Sequence, residues 1–172
     1  MSKLPKAPLI EVIFEIRWTV TGQKEFQEAQ YLHGDLYPLL KEKFPFREIT
    51  QNLPVEFFAN LPTHRFRTAA NDYPLVQVGP GIVTVNTVDS KYFWDEFEML
   101  ILEVVNVLGT VYSFKENHNA RLVLQYIDLL SFDFDKGDIL RGVTQNFVFD
   151  AKLMDITCDF VEILKIVRKS TS

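Results

Sequence analysis

Three charged side chains near the start of the chain are spaced for one surface. Glu11, Glu15 and Arg17 hold odd positions in LIEVIFEIRW, and Ile10, Val12, Phe14, Ile16 and Trp18 hold the even ones. A period of two places the two sets on opposite faces of a strand. Two carboxylates on one face can share acid–base work if a pocket forms over them. Without a pocket they are members of a solvated face with cross-strand ion pairs, and that is the favoured reading. Arg65, Arg67 and Arg121 can join this face and give it mixed charge. If a nucleotide or RNA binds anywhere, it is here, with Trp18 or Tyr126 nearby to stack a base. No RRM-type aromatic motif accompanies them.

Other reactive residue types are scattered. His33, His64 and His118 share no ligand spacing, so the expectation is packing or surface histidines and no metal site. Asp133, Asp135, Gly137 and Asp138 lack the glycine placement and closing glutamate of a calcium loop and read as an acidic turn. Cys158 stands alone, which excludes an internal disulfide and reads as an inert buried thiol. No serine sits in a nucleophile elbow and no lysine follows a phosphate-type glycine loop. No catalytic motif is found, which leans away from an enzyme, and no cofactor is implied.

The elements that position these residues centre on Tyr73 to Val111. Leu75, Val76 and Val78 precede Gly79-Pro80-Gly81, and Ile82, Val83 and Val85 follow. This is a strand, a turn or bulge, and a strand. A helix capped by Asp89 or Ser90 comes next, with Phe93, Phe97, Leu100, Ile101, Val104, Leu108 and Val111 on its apolar face. Tyr92 and Trp94 lie at the edges of that face, and an exposed Trp94 would mark an interface.

Upstream, a helix follows Gly22, with Phe26, Ala29, Leu32, Leu36, Leu39 and Leu40 as its stripe. Gly34 and Pro38 predict a kink or two helices in series, ending near Phe44-Pro45. Val55 to Phe58 reads as a short strand or an aromatic-bearing loop. His64 to Ala70 and Ala120 to Ile127 read as strands, and Asp150 onward as a last helix carrying Ile156, Cys158 and Phe160. The order is that of an α+β sandwich: an antiparallel sheet with helices on one face, in ferredoxin-like split β-α-β order. A helix-grip-like sheet is the alternative. Residues 1–130 form the sandwich domain; residues 131–172 form an acidic connection and a C-terminal helix packed on the domain or on a partner.

The 172 residues are 47% hydrophobic, with 15 phenylalanines, enough for a sizeable core. The net charge of −5 lacks the basic footprint of general nucleic-acid binders. The start lacks the apolar run of a signal peptide, and no run spans a bilayer, so a cytoplasmic protein with no membrane partner is expected.

LPKAPLIEVIFEIRW, VQVGPGIVTVNT, Tyr92-x-Trp94-x-x-Phe97 and RLVLQYID occur in that order between Leu4 and Asp128. On these motifs the chain resembles a sporadically distributed prokaryotic protein family of unknown function. The resemblance implies a patchy distribution, as for genes on mobile elements or in defence islands. It also implies longer members with a second region after the RLVLQYID-like strand, so this chain is expected to be a short or truncated one. The functional expectation is an interaction or accessory module that forms a homo-oligomer or docks a protein partner. A nucleic-acid- or nucleotide-binding protein, such as a nuclease subunit, is the alternative, and a small hydrolase built on Glu11 and Glu15 ranks last.

Overall fold

The computed structural model describes residues 8–50, 60–114, 119–129 and 156–159. The fold is α+β. The chain runs β1 (Leu9–Arg17), α1 (Gly22–Leu40), β2 (Phe46–Ile49), β3 (His64–Arg67), β4 (Leu75–Gly79), β5 (Ile82–Val88), α2 (Trp94–Val111), β6 (Asn119–Asp128) and β7 (Ile156–Asp159). The seven strands among the described residues form one sheet in the order β2-β3-β4-β5-β1-β6-β7, with every neighbouring pair antiparallel.

Alternation in β1 divides the sheet into two faces. Val12, Ile16 and Trp18 point to the side packed by α1 and α2, where they join Leu32, Leu36, Val83, Val85, Val104 and Leu108 in one buried cluster. Burying each such side chain contributes about 1.5–3 kcal/mol. The odd residues of β1 take the opposite face.

The β4–β5 connection is a tight hairpin, as the Gly-Pro-Gly triplet requires. Gly79 pairs with Ile82, and Gly81 has φ +75°. Neighbouring backbone uses both turn carbonyls: Asn60 N–H donates to Pro80 O and Trp18 N–H to Gly81 O, each at 2.9 Å. A Cβ on Gly79 would stand 2.0 Å from the Leu61 carbonyl oxygen, so only glycine fits.

Several expectations need correction. The α1 segment is one helix of 19 residues with Pro38 in its last turn, neither two helices nor one reaching Phe44. So near the C-terminus Pro38 removes only one late hydrogen bond. Leu39 turns outward, and Glu25 is buried instead, accepting hydrogen bonds from Thr21 N–H and Thr21 Oγ1 at 2.8 Å. Asp89 and Ser90 do not cap α2. They lie in a 3-10 turn, Asp89–Lys91, and Phe93 occupies the N-cap position with no side-chain cap. Phe93 is therefore 55% exposed rather than part of the stripe, and Val105 is buried in its place.

Strand β2 was not foreseen, because FREI lacks clean alternation. Ile156 and Cys158 are in a strand rather than a helix: Ala120 pairs with Cys158 and Leu122 with Ile156. The unpaired edge of β6 offers a short β-branched segment a ladder of hydrogen bonds that a helix would forgo. The segments Val55 to Phe58 and Asp133 to Asp138, and the rest of the expected tail helix, lie outside the described residues.

Candidate functional site

Sheet register brings the predicted polar residues onto one face, opposite the helices. Glu15 pairs with Thr84 of β5, and Arg17 stands directly across from Arg121 of β6. On the other flank, Arg65 lies between Glu48 and Gln77, and Arg67 between Phe46 and Leu75. All six residues expected from sequence, Glu11, Glu15, Arg17, Arg65, Arg67 and Arg121, therefore share this face.

The face differs from a solvated one. Glu15, Arg67, Thr84 and Asn86 are buried, so their polar groups need internal partners. Most have them. Arg65 Nε donates to Gln77 Oε1 at 2.7 Å, and Gln77 Nε2 donates to Thr84 Oγ1 and to Asn86 Oδ1. Thr84 Oγ1 donates to Asn86 Oδ1 at 2.6 Å, and Asn86 Nδ2 donates to Glu11 Oε1 at 2.8 Å. This relay crosses four strands, β3, β4, β5 and β1. Two ion pairs flank it, Arg17 Nε to Glu15 Oε2 at 2.6 Å and Arg67 Nε to Glu48 Oε2 at 2.9 Å. Gln77, Thr84 and Asn86 were missed by the sequence reading. Their signal was present as polar residues alternating within β4 and β5, inside otherwise apolar strands.

This geometry weighs against acid–base chemistry on Glu11 and Glu15. Four residues of strand separate them, roughly 13 Å at about 3.3 Å per residue. Paired catalytic carboxylates stand roughly 5–10 Å apart. Each carboxylate is also committed, one to Asn86 and the other to Arg17.

Toward β6, a cavity of about 480 Å³ is lined by Glu15, Arg17, Arg121, Val123, Gln125 and Ile127, among others. Strand β6 also exposes Ile127 on this face and Leu124 and Tyr126 on the opposite, helix side. Tyr92, partly buried against the core, meets Tyr126 across the helix side of β6, hydroxyl to hydroxyl at 2.8 Å. Burial first, then that hydrogen bond, holds the Tyr92 phenol above its ordinary value. Trp94, in the first turn of α2, is 37% exposed and takes no part in the polar face.

Two of the three histidines converge, and His118 lies outside the described residues. His33 of α1 and His64 of β3 stack with ring centroids 3.7 Å apart and planes 4° from parallel. Parallel rings send their nitrogen lone pairs along parallel planes, which cannot meet at one ion. Among the described residues no group of three or more His, Cys, Asp or Glu could hold a metal. Burial, then the charge of His33 and of Arg47, lowers His64 to about 4.

Comparison with known proteins finds no matching family model, no matching curated protein and no matching solved structure.

Proposed function

We propose that this protein is a non-enzymatic interaction module that forms a homo-oligomer through the β6 side of its sheet. The observation that carries the reading is the exposed apolar surface of β6, with Leu124 and Tyr126 on its helix side and Ile127 on the opposite face beside charged groups already engaged with one another. Apolar and aromatic side chains rimmed by polar ones are the composition of an interface core. The polar relay stiffens the sheet behind that surface. On this reading the four strands β4-β5-β1-β6 with α1 and α2 are a ferredoxin-like unit in split β-α-β order. The support is that β1 lies between β5 and β6, and β2-β3 and β7 then extend its two edges. Placement in the sporadically distributed family, and an accessory role in a mobile-element or defence setting, rest on the sequence motifs. No described helix is long and apolar enough to cross a membrane, which suits the cytoplasmic setting proposed here.

One observation favours the second reading, a nucleotide or nucleic-acid site. Arg17 and Arg121 stand opposite each other across β1 and β6 and line the same cavity. Against it stand the net charge of −5 and the commitment of Arg17, Arg65 and Arg67 to internal partners.

Native mass spectrometry of the purified protein, with the ratio of nucleic-acid to protein absorbance, tests the proposal. A homo-oligomer free of adduct is expected. A retained nucleotide or RNA shifts the assignment to the second reading, and a bare monomer at micromolar concentration overturns self-association.

A further inference from the structure

A second cavity, of about 460 Å³, lies on the helix side of the sheet, between the turn that leads into β4, the end of β5 and the first turns of α2. Its size falls within the range of small-molecule sites. Phe93, Phe97 and Leu100 of the α2 segment supply its apolar wall.

Three features of its polar lining narrow the ligand. Thr87 of β5 lines the cavity and is only 2% exposed. Its hydroxyl has no hydrogen-bond partner among the described residues, whereas the neighbouring polar residues Thr84 and Asn86 on the other face are bonded. The Thr87 oxygen is still reached by solvent, so a ligand atom entering the cavity would take the place of a water on it. Next, Asp72 and Lys91 form an ion pair at the rim, and Lys91 also donates to Tyr73 O, so their charges cancel. Finally, Glu96 lines the cavity from the first turn of α2, is exposed, and has no ion-pair or hydrogen-bond partner among the described residues. It is the uncompensated charge of the cavity. An aromatic wall beside one carboxylate suits an organic cation, which gains both ion pairing and attraction to ring faces.

We infer that this cavity binds a small amine with an apolar body. Glu96 holds the ammonium group, Phe97 and Leu100 bury the body, and the Thr87 hydroxyl bonds a polar atom at the opposite end. The site shares no lining residue with β6, and its test does not depend on oligomerisation.

Tyramine carries all three features, and 4-hydroxyphenylacetate presents the same body with the charge reversed. Each is titrated into the ¹⁵N-labelled full chain and followed by amide chemical shifts. Tyramine is expected to give saturable shifts at Thr87, Glu96 and Leu100, and 4-hydroxyphenylacetate to give none. Glu96→Gln, at an exposed position that leaves the fold intact, is expected to weaken tyramine binding about ten- to a hundredfold, the worth of one charge-assisted hydrogen bond. Thr87→Val, close in shape, is expected to weaken tyramine more than phenethylamine, which lacks the phenol. The proposal is overturned by non-saturating shifts, by equal binding of the anion, or by unchanged tyramine affinity in Glu96→Gln.

Discussion

Asn86 is the hinge of the polar relay, because it both accepts from Thr84 and Gln77 and donates to Glu11. Removing its amide strands several buried groups at once. Asn86→Ala is expected to lower stability by about 1–3 kcal/mol, the cost of unsatisfied buried polar atoms. The measurement is the urea midpoint at constant m-value; an unshifted midpoint would mean that the relay contributes no net stability. Trp94 makes the contrasting case. Its indole is partly exposed and outside the buried cluster. Trp94→Ala is expected to change stability by less than about 0.5 kcal/mol, as surface substitutions do. A large drop in melting temperature would place Trp94 in the core after all.

Two elements depend on single contacts. In the β4–β5 hairpin, Gly79 faces the backbone of Leu61 and Pro62, which cannot swing aside as a flexible side chain would. Gly79→Ala is expected to cost about 1–3 kcal/mol through overpacking, seen as a lower thermal midpoint. The second contact is the stack of His33 on His64, which ties α1 to β3. His64 is lowered to about 4 in the folded protein, against 6.5 for an unperturbed histidine. Between these values the unfolded chain binds more protons than the folded one, so stability rises with pH across this window. It falls as pH drops from about 6.5 to about 4, and His64 contributes no further change below that. Denaturant midpoints between pH 7 and pH 4 check this. His64→Gln is expected to flatten the profile there, and a profile unchanged by that substitution would assign the dependence to other groups.

For the whole molecule, the proposed self-association makes a prediction on β6. Leu124 is exposed on the same side of β6 as Tyr126. Leu124→Asp places a carboxylate in this apolar surface and is expected to shift the protein to monomer without changing its far-UV circular dichroism. Light scattering after size exclusion reads the outcome. An unchanged oligomer would move the interface elsewhere, to Phe93, Trp94 and Met99 at the start of α2, which also expose apolar surface.

Patterns with a strong local cause were legible in the sequence. Alternation in β1 separated Val12 and Ile16 from Glu11 and Glu15, and helical spacing identified α1 and most of the α2 face. These follow from the periods of strand and helix, which a side-chain series carries in itself. Only tertiary structure brought Arg65 and Arg67 of β3 to the same face as Glu11, since that depends on which strands become neighbours. The same holds for the meeting of His33 with His64 and for the cavity over Thr87, each built from segments distant in sequence. Strand β7 shows the limit most plainly. Ile156 and Cys158 carry a pattern too short to choose between helix and strand, and the open edge of β6 decided it.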